Sequence, residues 1–253
     1  MNLVSAKLAY SLEQLKLLQD SGIIAVQSKM LERTDRERLT KHGFIKEVMR
    51  GWYIPSSPDE QQGDSTAWYT SFWDFCGAYL DARLEQNWCL SPEQSIQIHI
   101  GDKTVPPQLL VRSPKGRNKP TDLLHNTSVL DIRAAMPEQV QLTIVDGLRV
   151  YSLAASLVHC AKATFAQKPI QMRTLLSMVT DASEVLSILL DGGHVASAGR
   201  LAGAFRNIGR GLIADNIIKG MDAADFKIKE IDPFEDETQI TFARREVSPY
   251  VNR

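Results

Sequence analysis

DRERLTKHGFIKEVMRGWYIP, residues 35–55, joins a polar helical run to two short β runs. Thr34 stands just before it and Glu37 three residues further on, the spacing of a capping box. A helix is therefore expected to open at Thr34 and to end at Gly43. Its one apolar residue is Leu39. Beyond Gly43, FIKEVM and WYI read as two β runs, with a tight turn near Arg50 and Gly51; Pro55 stops the second run.

Upstream, Ser11 is expected to cap a helix carrying Leu12, Leu15 and Leu18, which ends at Ser21 and Gly22. An apolar stretch follows, Ile23 to Val26, and then one short helical turn at Ser28, Lys29, Met30 and Leu31. Helix, short helix, polar helix and hairpin make the element order of a winged helix-turn-helix. It is assigned to residues 1–58, with the polar helix placed for a major groove and the hairpin for the flanking backbone.

Charge is distributed to suit. The whole chain has a formal net charge of -1, which argues against a uniformly basic surface. Residues 1–58 nevertheless hold nine basic side chains against six acidic ones, a local excess of +3. The basic ones concentrate on the polar helix and hairpin, where phosphates would lie. Ser28, Lys29, Thr34, Arg36, Arg38, Lys41, Lys46 and Arg50 are the expected DNA contacts. Arg36 and Arg38 have the reach for a guanine edge or a phosphate alike. Winged modules also serve protein contact, and the charge favours DNA first.

At 253 residues, 43% apolar and 23% charged, the chain is long enough to bury a sizeable core and ordinary for a globular protein. Cys76, Cys89 and Cys160 are too few and too scattered for a disulfide framework or a zinc site. The opening MNLVSAKLAYSLEQL lacks the pattern of a signal peptide, and no run has the length of a membrane span. A cytoplasmic protein without membrane partner, metal or cofactor is expected.

Residues 55–66, PSSPDEQQGDST, are polar and turn-rich and read as a domain boundary, leaving 67–253 as a second body. Residues 67–86 then form a helix on which Trp68, Phe72, Phe75 and Tyr79 share one face, expected as core. Mixed strands are expected over about 88–148: SIQIHIG at 95–101 by its alternation, then Leu109 to Val111, Val129 to Ile132, and Val140 to Ile144. Between them Arg112, Lys115, Arg117 and Lys119 form a basic, turn-rich loop, either a solvated hairpin tip or a contact for phosphate or an acidic partner. Helices are expected over about 149–230, with stripes at Leu153, Ala154, Leu157, Val158 and Ala161, and again from Leu175 to Leu190. Gly192 and Gly193 interrupt them. In the run from Ala196 to Arg210, small residues admit a second backbone while Arg200, Arg206 and Arg210 suit carboxylates or phosphates. The tail beyond Pro233 is acidic, then basic, and is expected to extend along another surface. Overall the class is α+β: a winged helix-turn-helix, a mixed α/β body and a helical C-terminal part.

No local signature of catalysis is present. His99, His125 and His159 are dispersed, and no phosphate loop or nucleophile elbow occurs. A binding protein rather than an enzyme is expected.

On DRERLTKHGFIKEVMRGWYIP and the layout to about Leu190, the chain resembles antitoxins of the AbiEi type. That resemblance implies a winged-helix autorepressor of its own promoter, with double-stranded DNA and a cognate toxin as partners. The run AGRLAGAFRNIGRGLIADNI with DPFE at 232–235 resembles the non-catalytic stretch of long Fic-family adenylyltransferases, which implies instead a regulatory region working with a Fic-domain protein. The Fic signature HxFxDGNGR is absent, and GGHVA at 192–196 lacks its anion-binding turn. TDASE at 180–184 matches only loosely the S/T-x-x-x-E inhibitory motif. One winged helix contacts few bases, so a homodimer is a further partner state, and no heptad specifies it.

Overall fold

The computed structural model describes residues 3–61 and 63–234 and belongs to the α+β class. It divides into two compact units, residues 1–160 and 161–253. The chain thus divides a hundred residues beyond the polar stretch at 55–66.

The first unit opens with α1 (Leu3–Asp20), β1 (Val26–Gln27), a single 3₁₀ turn (Ser28–Met30) and α2 (Arg33–Lys41). The hairpin β2 (Ile45–Met49) and β3 (Trp52–Pro55) completes a three-stranded antiparallel sheet in the order β1-β3-β2. Both expected turns are where glycine permits them, at φ +76° for Gly43 and +82° for Gly51. Leu15, Val26, Leu31, Leu39 and Ile45 form the buried core of this part.

Two expected caps are corrected. Ser11 lies in the middle of α1, fully buried, its hydroxyl donating to Asp35 Oδ1 at 2.7 Å with Lys7 O also within reach at 3.0 Å. Thr34 lies inside α2: the helix begins a residue earlier, Glu32 holds the cap position without a side-chain bond, and Glu37 pairs with Arg33 instead. Asp35 is thereby turned inward. It is 4% exposed and accepts from both Ser11 and Arg38, whose Nη1 is 3.0 Å away and also reaches Ser11 Oγ at 2.5 Å. This triad ties α1 to α2.

α3 (Thr66–Leu84) carries the aromatic face as expected: Trp68, Phe72, Phe75 and Tyr79 are all buried. Its core takes in Ala25, Val48 and Ile54 from the opening elements and Leu90, Leu109, Val111 and Val129 from the strands beyond. The polar stretch therefore links parts of one core, which is why it marks no division.

β4 (Cys89–Leu90), β5 (Gln108–Ser113), β6 (Pro120–Asp122) and β7 (Ser128–Arg133) form a mixed sheet in the order β4-β5-β7-β6. β5 and β7 run parallel, from Gln108 opposite Ser128 to Ser113 opposite Arg133. A separate hairpin pairs β8 (Leu142–Val145) with β9 (Leu148–Tyr151), so strand extends three residues into the range expected to be helical. SIQIHIG is not a strand. Its first five residues lie on α4 (Pro92–His99), because Ser91 caps the Gln94 amide and Pro92 suits the first turn. Its alternation misleads because the polar residues are buried too. Gln94 bridges Gln108 O and the Leu110 amide, and Ser95 accepts from the Tyr151 amide. α5 (Leu153–His159), capped by Ser152, closes the unit; Ala161 is exposed and lies outside it.

The second unit consists of α6 (Lys162–Gln167), α7 (Pro169–Met178), α8 (Ser183–Asp191), α9 (Val195–Asn207) and α10 (Gly211–Ala223). Gly192 and Gly193 separate α8 from α9 as expected. Gly199 and Gly203 on α9 are crossed by the chain's own residues 229–231: a Cβ on either glycine would stand 2.1 Å from a carbonyl oxygen, Lys229 O or Ile231 O. The Ile231 amide donates to Gly199 O at 3.1 Å. The small-residue run thus has a packing role within this unit. Glu235 of DPFE and the tail after it lie outside the described residues.

Two outcomes follow. Asp35→Ala, which removes the buried carboxylate shared by the Ser11 hydroxyl and the Arg38 guanidinium, is expected to lower unfolding free energy by about 2 kcal/mol, whereas Asp35→Asn should recover part of it; chemical denaturation measures both. Gly203→Ala is expected to destabilise by about 1–3 kcal/mol through overpacking. A denaturation midpoint unchanged from the parent would show that residues 229–231 do not press on α9.

Candidate nucleic-acid interface

The 100° step of α2 sorts its side chains cleanly. Asp35 and Leu39 face inward, and Arg33, Thr34, Glu37, Thr40 and Lys41 are exposed on the opposite face. Arg36 and Arg38 fall on the two flanks, half-buried.

Those flanking arginines hold the fold. Arg38 is engaged by Lys7 O, Ser11 and Asp35 against α1. Arg36 donates to Ser28 O at 2.7 Å and lies over the Tyr53 ring at 5.8 Å. The Ser28 amide donates in turn to Gly51 O at 2.9 Å, so Ser28 and Arg36 together brace the hairpin turn against α2. Glu47 adds to this by accepting from the Gly51 amide and the Tyr53 hydroxyl. Burial, then the Glu47 charge, pushes the Tyr53 hydroxyl above its ordinary range. Lys46 lies 3.8 Å from Glu60 and is half-buried.

Of the eight expected contacts, Ser28, Arg36, Arg38 and Lys46 are therefore committed internally. Lys29, Thr34, Lys41 and Arg50 are exposed, Lys29 at the 3₁₀ turn, Thr34 and Lys41 on α2, Arg50 at the hairpin turn. Arg33 and Glu37 belong with them and were missed, because placing the cap at Thr34 put Arg33 outside the helix. Arg33 Nε donates to Glu37 Oε1 at 2.7 Å. That hydrogen bond and the attendant charge hold the Glu37 carboxyl below its ordinary range and raise the Arg33 guanidinium. Both groups are fully exposed, so the pair is screened by solvent and readily exchanged for another partner. Shallow grooves flank Arg38: Lys7, Tyr10, Glu32 and Thr34 line one, and Lys7, Glu37, Lys41 and His42 the other.

The second basic group separates in the same manner. Arg112 is turned inward, donating to Ala135 O at 2.6 Å and to the Tyr151 hydroxyl at 2.8 Å. Lys115 pairs at the surface with Glu85 at 3.3 Å. Arg117 and Lys119 are exposed on the loop between β5 and β6. In the second unit the arginines meet partners of their own. Arg200 bonds Ser197 and lies over Phe165, Arg206 holds Glu230 and Asp215, and Arg210 donates to Ser177 O. The two carboxylates raise the Arg206 guanidinium further above its ordinary range.

Two of the histidines are likewise placed by packing: His99 Nε2 meets Tyr151 O at 2.7 Å and His159 Nε2 meets Gln141 Oε1 at 2.8 Å. Burial pushes the Cys89 thiol up to about 12 and the Cys76 thiol higher still, far from nucleophilic range. Among the described residues, no three or more His, Cys, Asp or Glu side chains are grouped to hold a metal ion, and no helix is long and apolar enough to cross a membrane.

No family model matches the chain, and no curated protein sequence matches it. Among solved structures it is similar to the crystal structure of the RV2827C protein from Mycobacterium tuberculosis. The TM-score is 0.51 over 81% of this chain and 79% of that one, at 15% sequence identity. At that identity the likeness is one of fold.

Proposed function

We propose that the protein is a DNA-binding transcriptional regulator whose first sixty or so residues act as a winged helix-turn-helix. What supports this reading above all is the exposed face of α2 standing beside a sheet ordered β1-β3-β2, with Lys29 and Arg50 exposed at two adjoining turns. A helix presented in this way fits the major groove, and a hairpin turn reaches the adjoining backbone.

Each exposed side chain has a chemical part in such a complex. Lys29, Lys41 and Arg50 are positive charges for phosphates, which fix register and carry most of the affinity. Arg33 exchanges its screened pair with Glu37 for a phosphate or a guanine edge. Glu37, at the centre of the face, then accepts from a cytosine amino group, and Thr34 and Thr40 offer short polar contacts. Arg36 and Arg38 act indirectly, by setting the pose of the hairpin and of α2.

The finer reading is that of an autorepressor of the antitoxin kind, which binds its own promoter and answers to a cognate toxin. The supports for it are the sequence resemblance carried by residues 35–55 and the absence of any catalytic signature in the sequence. A toxin nucleotidyltransferase gene next to this one would strengthen it, and a gene neighbourhood without any toxin would count against it.

The experiment is a gel-shift titration of a fragment of the gene's own promoter over a salt series. Lys41→Ala combined with Arg50→Ala is expected to weaken binding by roughly tenfold or more and to make the salt slope shallower by about two. Both side chains are exposed, so the melting transition should stay within about 0.5 kcal/mol of the parent. Arg38→Ala should instead lose stability. A double variant that binds as the parent does would refute the proposed surface.

A further inference from the structure

The loop between β5 and β6 stands beside the hairpin, and we infer that its exposed cations form a second phosphate track that lengthens the duplex footprint beyond the wing. This rests on the DNA reading above and adds Arg117 and Lys119 to it.

One aromatic side chain connects the two places. The Trp52 indole, two residues past Arg50, meets the Tyr79 ring edge-on with 5.7 Å between centroids, and meets Phe75 at 5.8 Å. The Tyr79 hydroxyl, at the far end of that ring, accepts from Arg117 Nη2 at 3.4 Å. The hairpin and the loop are therefore linked through three side chains in succession, Trp52, Tyr79 and Arg117.

The loop is also held rigid before any ligand arrives. Asp131, fully buried on β7, accepts from the Arg117 amide at 2.7 Å and from Arg83 Nη2 at 2.5 Å. Burial alone would raise its carboxyl; the hydrogen bonds from Arg83 and the Arg117 amide outweigh this and hold it below the ordinary range. The Asn118 amide donates to Asp131 O at 2.9 Å, and Asn118 Oδ1 accepts from the Arg133 amide at 2.7 Å. Gly116 passes so close to β7 that a Cβ would stand 2.6 Å from Ile132 O. With the backbone fastened inward, Lys119 and Arg117 remain exposed, Arg117 while donating to the Tyr79 hydroxyl. A loop ordered beforehand loses little entropy on binding.

The chemistry points to phosphate. Residues 112–119 include no acid, Lys115 is already partly neutralised by Glu85, and Arg117 offers a planar fork that suits phosphate oxygens. A polyanion that already follows the hairpin meets these charges next, whereas an isolated acidic peptide would have no such guide.

The test measures fluorescence anisotropy over a salt series with mixed-sequence duplexes of about 12 and about 30 base pairs. It compares the full chain with Lys119→Glu and with the Arg117→Gln, Lys119→Glu pair. Among the described residues Lys119 has no hydrogen-bond or ion-pair partner, so the single variant guards against a fold effect from losing the Arg117–Tyr79 contact. On the long duplex the pair is expected to weaken binding roughly tenfold and to make the salt slope shallower by about two, the single variant by about one. On the short duplex, which the helix and hairpin fill, all three should bind alike. Unchanged affinity and slope on the long duplex would overturn the second track while leaving the DNA reading intact. An equal loss on both lengths would overturn it too, as would capture of poly-glutamate in preference to the long duplex. A parent chain that binds neither duplex overturns the DNA reading itself.

Discussion

The Trp52 indole, half-buried and edge-on against Phe75 and Tyr79 of α3, is the contact on which the first unit depends. It carries the hairpin into the aromatic core that also receives the strands of the mixed sheet. A two-stranded hairpin by itself is marginal in water, and this packing gives it a fixed pose. Aromatic pairs contribute on the order of 1 kcal/mol beyond the area they bury, and α3 sets several in succession: Trp68 with Phe72 and Phe75, and Phe75 stacked on Tyr79. The helix works less as a member of a separate body than as a common wall.

That arrangement explains what was legible in the sequence. The hairpin and the aromatic helix are local patterns, and periodicity with glycine at the turns places them to within a residue or two. The 3₁₀ turn at Ser28 is legible for the same reason. The failures lie where a local pattern has a distant owner. Ser11 looks like a cap because serine caps helices, yet its hydroxyl belongs to Asp35, twenty-four residues away. SIQIHIG alternates, yet Gln94, Ser95 and Gln97 are buried and satisfied by backbone groups from other segments, so polar does not mean outward there. The stretch at 55–66 has the composition of a linker, and no composition reports that the cores on its two sides are shared.

The candidate interface was half legible, and the division follows the chemistry of the two cations. Arginine, with a planar fork of five donors, is the residue a fold uses to tie carbonyls, hydroxyls and carboxylates together. Arg36, Arg38, Arg83, Arg112, Arg149, Arg206 and Arg210 all have such posts here. Charge counting cannot distinguish an arginine at work inside from one facing a ligand. Lysines, whose ammonium is strongly hydrated, are more often left at the surface, and Lys29, Lys41 and Lys119 are exposed here. Arg33, Arg50 and Arg117, on the proposed surface, are exposed as well.

Those exposed cations are few for a molecule with a net charge of -1, and this bears on how it would search DNA. Each neutralised phosphate steepens the salt dependence by about 0.9 in the logarithmic slope. Half a dozen contacts suffice for a strong response, provided they act on one duplex together. Simultaneous contact requires a rigid frame, because a cation on a mobile segment loses in ordering what it gains in attraction. Arg36 on Ser28, Ser28 on Gly51, Glu47 on the turn and Trp52 on α3 supply that frame on the hairpin side; Asp131 supplies it for the loop. On the proposed DNA reading the internal arginines would contribute to recognition without meeting the nucleic acid, by holding a small set of exposed charges at fixed separations.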